Sequence, residues 1–224
     1  MAKRVLYLGM ALDIMTPMLL IPDFRVIYTI NKVDKAPGYG GTIENIMEKI
    51  KLILTSGEYY QCNNWEHENL IPPCKCPRHK LNCKSIITED KYDKESQIWR
   101  LKFIYNNTPR DLVYYFDYNF LDEWAPEINN IGHIITYGSW LFEWFVTEEK
   151  GNTSILKKMF ETRSKKPWIY TQAPFNPEFK KKIIFNGSIE PYDIDGCEIN
   201  VFRIRKFTPK WWEKYVELSE NESE

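Results

Sequence analysis

RVLYLG at residues 4–9 and RVIYTI at residues 25–30 are the two stretches that decide the fold. Both are short apolar runs with the length and composition of a buried strand. The first run ends on Gly9, Asp13 follows four residues later, and a helical segment leads into the second run. A strand, a turn, a helix and a second strand in this order are typical of a parallel α/β sheet. The chain therefore predicts an α/β domain whose two opening strands are parallel neighbours.

Helical periodicity is clearest over residues 43–55, where Ile46, Ile50 and Leu54 recur on one face. Thr42 is suited to cap the start of this helix, and Gly57 to end it. Weaker patterns predict three more helices, at residues 121–128, 155–162 and 210–218, and a helix or turn at 139–150.

Six further apolar runs predict strands, at residues 85–88, 97–105, 111–116, 131–137, 183–186 and 199–206. The first two are expected to form a hairpin, and the third is expected to be a central parallel strand buried on both faces. The last two are expected to pair antiparallel, because the loop between them is too short for a helical crossover.

Residues 59–94 have a different character, since cysteines, prolines and charges cluster there and hydrophobic periodicity is absent. We interpret this interval as a Cys/His-rich insertion within a single domain that spans residues 1–224. Its candidate metal ligands are Cys62, Cys74, Cys76, His79 and Cys83. A tetrahedral zinc ion on three or four thiolates would hold together a segment that is too short to build a core. The spacing is not that of a standard zinc finger, so a disulfide such as Cys62 to Cys83, or unlinked thiols, are the alternatives.

The overall charge gives no signal for nucleic acid, because 30 basic and 31 acidic residues leave a net charge of −1. No apolar run approaches the roughly 20 residues that a membrane span needs. The first residues lack the apolar core of a signal peptide, so we expect an intracellular location with reduced thiols. Aromatic residues make up 15% of the chain and are spread over its whole length, which favours a role in the core over a stacking surface.

The element order resembles that of the class I S-adenosylmethionine-dependent methyltransferases, whose Rossmann-like sheet has seven strands with the last one antiparallel. The resemblance rests on YLGMALD at residues 7–13, which corresponds to the first motif of the family. It implies a mostly parallel Rossmann-like α/β sheet with an antiparallel C-terminal hairpin and the Cys-rich insertion. It also implies that Gly9 lets the backbone approach the methionine part of the cofactor. This motif has one glycine where the family usually has two or three.

The same resemblance places Asn31 where the family has a ribose-binding carboxylate, and gives Asp13 a role toward the amino group of the cofactor. Asp117 follows the strand at 111–116 and is the candidate catalytic residue, acting on the substrate. The proline pair of amino-methylating members is missing after that strand. From the residues alone, Asp13 is equally suited to cap a helix and Asp117 to form a turn. His133 lies in a predicted strand, where an ordinary hydrogen-bonded histidine is expected.

Two functions of different class are therefore predicted. The first is an S-adenosylmethionine-binding methyltransferase-like protein, active or decayed. The second is a non-catalytic structural or interaction protein on the same scaffold. The chain is also similar to methyltransferase-like proteins of large DNA viruses, which implies a virion component or a protein acting in the host cytoplasm. Neither the substrate nor a protein partner is named by the sequence.

Overall fold

The computed structural model of the chain describes residues 3–31, 42–60, 78–116, 127–128, 130–135, 167–171, 183–189 and 199–204. Within these ranges the two helices are α1 (Met15–Leu20) and α2 (Ile43–Ser56). The strands are β1 (Lys3–Leu8), β2 (Phe24–Asn31), β3 (Glu58–Tyr60), β4 (Arg78–Lys80), β5 (Ile86–Asp93), β6 (Ile98–Tyr105), β7 (Thr108–Phe116), β8 (His133–Ile135), β9 (Trp168–Thr171), β10 (Ile183–Ile189) and β11 (Ile199–Ile204).

Nine of the described strands form one mixed sheet, in the order β10-β11-β9-β8-β1-β2-β7-β6-β5. The five central strands, β9 to β7 in this order, are parallel to one another. The strands at both ends are antiparallel to their neighbours. The described part of the chain is thus an α/β structure, and the prediction that its two opening strands are parallel neighbours is confirmed.

β1 lies at the centre of this sheet, with β2 on one side and β8 on the other. Its side chains from Val5 to Leu8 are fully buried, as expected of a parallel strand that is covered on both faces. The ladder pairs Leu8 with Ile30, and the backbone N–H of Gly9 extends it by donating to the Ile30 carbonyl at 2.9 Å. The carboxyl ends of β1 and β2 are therefore held side by side.

The core on one face of the sheet is built with α2. Ile46, Ile50, Ile53 and Leu54 of this helix are buried, and they belong to the same cluster as the inward residues of β6 and β7. The Thr42 side chain accepts a hydrogen bond from the backbone N–H of Asn45, so the predicted cap is confirmed. Burial of each large apolar side chain contributes roughly 1.5–3 kcal/mol, which is why the amphipathic pattern determines how this helix packs.

β5, β6 and β7 form an antiparallel meander, and β5 is its outermost strand. β6 alternates as predicted, with Trp99, Leu101 and Phe103 buried and Arg100 and Lys102 exposed. β5 has no fully buried residue and carries charges, among them Glu89, whose carboxylate lies 2.8 Å from Lys102 Nζ.

The structure differs most from the sequence-based expectation in four strands, β3, β4, β5 and β9. The strand predicted at 85–88 runs from Ile86 to Asp93, because cross-strand pairing with β6 continues through its polar residues. β9 was not predicted, since four residues are too few for a periodic signal. The pair β3 and β4 was not predicted for the same reason. The helices predicted at 155–162 and 210–218, the segment 139–150 and most of the helix at 121–128 lie outside the described residues.

Replacing Gly57 with alanine is expected to lower the free energy of unfolding by about 1 kcal/mol, because an alanine must then adopt the left-handed backbone conformation. Gly57 ends α2 with φ of 73°, and an added Cβ would meet no atom closer than 3.5 Å, so the loss is conformational. Gly132 is the control, because its φ is not positive and an added Cβ would come no closer than 3.9 Å to another atom. Urea unfolding of both variants checks this, and equal losses would contradict it.

Candidate functional site

The carboxyl edge of the parallel strands brings together two of the predicted cofactor-binding residues. Gly9 directly follows β1, and Asn31 is the last residue of β2. Asn31 in turn pairs with Phe116, the last residue of β7. Asp117 is next in the sequence and lies outside the described residues. In open α/β sheets this edge is where ligands bind.

The turn after β1 is tight and contains two left-handed residues. Gly9 has φ of 68° and Ala11 has φ of 47°. The N–H of Asp13 donates to the Met10 carbonyl, and the N–H of Ile14 donates to the Leu12 carbonyl, both at 2.8 Å. A non-glycine residue rarely adopts a positive φ, so surrounding contacts must hold Ala11 in this conformation.

Tyr114 of β7 supplies that contact. Its hydroxyl donates to the Ala11 carbonyl at 3.1 Å, and it also hydrogen-bonds with the Asn31 side chain. Burial raises the pKa of Tyr114 above its ordinary value, although the bond to Asn31 acts against this. The hydroxyl therefore stays protonated at physiological pH and remains a donor to the turn. The turn after β1 and the end of β2 are linked through this one side chain.

Asp13 holds the other end of the turn. Its Oδ2 accepts from the Tyr7 hydroxyl at 2.6 Å, and its Oδ1 accepts from the backbone N–H of Thr16 at 3.1 Å. Thr16 lies in the first turn of α1, whose N-cap position is Ile14. Asp13 thus bonds to the start of the helix from the residue just before the cap position, which is close to the helix-cap alternative that the sequence left open. A role for Asp13 toward the amino group of a cofactor stays a prediction.

Sequence reasoning missed the two tyrosines of this site. Tyr7 and Tyr114 stand in apolar strands, where a tyrosine is read as core. The available signal was the strand register, because β1, β2 and β7 place Tyr7, Thr29 and Tyr114 in one row across the sheet. That register could not be known before the pairing of β2 with β7 was known.

The predicted metal ligands are only partly within the described residues. Cys62, Cys74 and Cys76 lie outside them, and His79 is described only as a backbone position in β4. The Cys83 thiol is half-buried against the core and forms no disulfide within the described part of the chain. Among the described side chains, no group of three or more His, Cys, Asp or Glu is placed to hold a metal ion.

β3 and β4 bracket the cysteine-rich segment. Glu58 pairs with Lys80, Tyr59 with His79 and Tyr60 with Arg78. Tyr60 and Arg78, which flank residues 61–77 in the sequence, are thus paired neighbours in this two-stranded sheet. Beyond β4, the N–H of Leu81 donates to the Gly57 carbonyl and the N–H of Ser85 donates to the Leu54 carbonyl, both at 2.8 Å. These bonds fix the base of the segment to the end of α2.

His133 lies away from the carboxyl edge, at the start of β8, where it pairs with Val5 and Trp168. It is 8% exposed, its ring stacks on Tyr170, and the Tyr170 hydroxyl lies 3.1 Å from its Nδ1. Burial, assisted by the positive charge of Lys3, lowers the pKa of His133 to about 4. It is the ordinary buried histidine that the sequence predicts.

No protein-family model matches the chain. Comparison with curated proteins likewise finds no significant sequence relative. Neither α1 nor α2, the helices of the described ranges, is long and apolar enough to cross a membrane.

The free energy of unfolding is expected to fall as the pH drops from about 6.5 to about 4, because unfolding lets His133 take up a proton. The folded pKa of about 4 lies below the ordinary value of 6.5, so the unfolded chain binds more protons in that window. At pH 5 this residue should account for about 2 kcal/mol of the loss. Urea unfolding at pH 7.5 and pH 5 should therefore show a shallower decline for His133→Gln than for the parent, and equal declines would contradict the assignment.

Proposed function

We propose that this chain is an S-adenosylmethionine-binding protein with a Rossmann-like, methyltransferase-like sheet. The observation that carries the proposal is the strand order. Without β5 and β6, the sheet runs β7-β2-β1-β8-β9-β11-β10 among the described strands. In chain order these strands are third, second, first, fourth, fifth, seventh and sixth.

That order supports the proposal in two ways. The first five strands are parallel and follow the doubly wound order 3-2-1-4-5 of dinucleotide-binding sheets. The last strand, β11, is antiparallel to both neighbours, as the last strand is in the methyltransferases that the sequence resembles. The order reverses between β1 and β8, and the carboxyl ends at such a point are where α/β sheets form their ligand crevice.

The residues at this edge fit part of the cofactor. Gly9 has no side chain and a left-handed backbone, so backbone can approach a ligand there. The Asn31 amide at the end of β2 is suited to hydrogen-bond ribose hydroxyls, without the charge assistance of a carboxylate. S-adenosylmethionine would supply a transferable methyl group. Asp117, beyond the end of β7, is the residue we propose to orient an acceptor or take its proton, because methyl transfer depends mainly on alignment.

A second candidate function is that of a non-catalytic interaction protein on the same scaffold. It is favoured by the contacts that Asp13 and Asn31 make within the protein, to Tyr7, Thr16 and Tyr114. A polar residue that stabilises a turn has a structural role, and this role does not require that the protein bind a cofactor. For either function we propose an intracellular protein, in a virion or host cytoplasm if the chain is viral.

Binding of S-adenosylmethionine is the direct test. At 100 times the dissociation constant, the ligand should raise the free energy of unfolding by about 2.7 kcal/mol. Asn31→Asp restores a carboxylate at the ribose position and should tighten binding by about tenfold, because a charge-assisted hydrogen bond replaces a neutral one. Titration calorimetry with S-adenosylmethionine and S-adenosylhomocysteine measures both effects.

Asn82→Asp is the matched control, since it makes the same chemical change at an exposed position beyond β4 and should leave the affinity unchanged. A gain in affinity for S-adenosylmethionine in Asn31→Asp cannot arise from a general loss of stability of the folded protein. If millimolar S-adenosylmethionine gave no heat of binding and no shift in Tm, the methyltransferase-like function would be overturned. The interaction protein would then be the remaining candidate function.

We also propose that Cys62, Cys74, Cys76, His79 and Cys83 supply the ligands of a structural zinc site. The support is the pairing of Tyr60 with Arg78, because Cys62 and Cys76 are each two residues from that pair in the sequence. Two residues span at most about 7 Å, so chain connectivity limits the separation of these two cysteines. Four such ligands would close the coordination sphere, which is typical of a structural site.

Purified protein is therefore expected to contain about one equivalent of zinc, and chelation should lower its Tm, because metal binding contributes folding free energy. Cys76→Ser should lose most of the zinc, whereas Cys197→Ser, which changes the one cysteine outside the cluster, should keep it. Elemental analysis and thermal denaturation measure these outcomes. Less than about half an equivalent in the parent protein, with no response to chelation, would contradict the site.

A further inference from the structure

A cavity of about 450 Å³ lies on the face of the sheet that does not pack against α2. The strand register explains which residues line this cavity, because paired residues on neighbouring strands share a face of the sheet. One row across β1, β2, β7 and β6 consists of Arg4, Val26, Asp111 and Lys102. The next row contains Tyr28, Val113 and Arg100. Both rows line the cavity.

The cavity is separate from the carboxyl edge. Arg4 is the second residue of β1, and Asp111 and Val26 lie in the first halves of β7 and β2. The candidate cofactor residues lie at or beyond the other ends of these strands. Binding of a ligand in this cavity therefore does not require a cofactor at the carboxyl edge.

The lining of the cavity is cationic, although the whole chain carries a net charge of −1. Among the described residues, the lining holds two carboxylates and four cationic side chains: Asp111 and Glu127, and Arg4, Arg25, Arg100 and Lys102. Lys102 also pairs with Glu89, which lies outside the lining, so the excess of positive charge is reduced but remains. An excess of positive charge in a concave, partly apolar site concentrates anions.

The cations are held in place by hydrogen bonds. Arg100 Nη2 lies 2.7 Å from Glu127 Oε1, and the same carboxylate accepts from the Tyr115 hydroxyl. Although burial acts in the other direction, these two bonds hold the pKa of Glu127 below its ordinary value. Arg25 Nη1 donates to the Pro109 carbonyl at 2.7 Å. The charges are thereby oriented in advance of any ligand.

The floor of the cavity is apolar. Val26 and Val113 are 7% and 6% exposed, and Tyr28 lies beside them. A pocket with an apolar floor and a few convergent charged groups is typical of a small-molecule site, and its volume falls within the range of such sites. The floor is suited to contact a ring or a short carbon skeleton. The cationic side chains are suited to bind a negatively charged group.

We propose that this cavity binds a phosphorylated small molecule, with its phosphate among the arginines and Lys102 and its carbon skeleton on Val26 and Val113. A phosphate monoester carries about −1.5 to −2 charges near neutral pH, so the excess of positive charge in the lining attracts it. Guanidinium groups also bind phosphate oxygens in a bidentate geometry.

Phenyl phosphate is the probe, with phenol as the uncharged counterpart, and titration calorimetry on the full chain measures the binding. The parent protein should bind phenyl phosphate and not phenol. Lys102→Gln should weaken binding by about tenfold, because a charge-assisted hydrogen bond is lost. Arg25→Gln is a second variant with the same expectation.

Lys91→Gln is the matched control. Lys91 and Lys102 both form an ion pair with Glu89, at 3.2 and 2.8 Å, but Lys91 does not line the cavity. Its replacement should leave the affinity unchanged. No binding of phenyl phosphate, equal binding of phenol, or equal weakening by Lys91→Gln and Lys102→Gln would each overturn the proposal.

Discussion

The parallel pairing of β1 with β2 and β8 is the constraint on which the described structure depends. Each of these strands leaves the sheet at the same edge, so the segments that follow them start side by side. β1 is buried on both faces from Val5 to Leu8, and its backbone hydrogen bonds go to these two neighbours and to Gly132, whose N–H donates to the Arg4 carbonyl. If this pairing were lost, Tyr7 would no longer lie in one row with Tyr114. The turn after Gly9 and the cavity beside Arg4 would also lose the strands that position them.

The carboxyl edge shows how stability and binding compete for the same polar groups. Asp13 and Asn31, which we propose to bind a cofactor, each have a partner within the protein. Tyr114 maintains the unusual conformation of Ala11 and engages Asn31 at the same time. A ligand at this edge would have to share these groups or displace them, so its affinity would include the free energy of reorganising the turn.

The sequence predicted the elements with strong local patterns. The opening strands, the capped helix α2 and the alternation of β6 each follow from residue periodicity and cap chemistry. The antiparallel pairing of β10 with β11 followed from the length of the loop between them. Short strands such as β9 were missed, because four residues give no period.

Long-range neighbours could not be predicted in the same way. Nothing local in Tyr7 or Tyr114 indicates that they share a row, and Arg4 and Lys102 are brought to one cavity only by the register of four strands. For the candidate site, the positions of Gly9 and Asn31 at the carboxyl edge could be predicted because each stands at the end of a recognisable strand, whereas their role toward a cofactor stays a prediction. The residues that support them were not, because their role arises from tertiary contacts.

The outer position of β5 has a consequence for how copies of this protein behave in concentrated solution. An edge strand offers unpaired backbone groups, and a strand from another copy could add there and start a fibril. On β5, the charged side chains would have to give up water for such an addition, and all four of them have ion-pair or hydrogen-bond partners on the same molecule: Glu89, Asp90, Lys91 and Asp93. Among the large apolar side chains of β5, Ile86 is 65% exposed at the start of the strand, whereas Ile87 and Tyr92 pack against the core. The charged side chains of β5 thus oppose the addition of a further strand at this edge, and this protection does not require a helix that covers the edge.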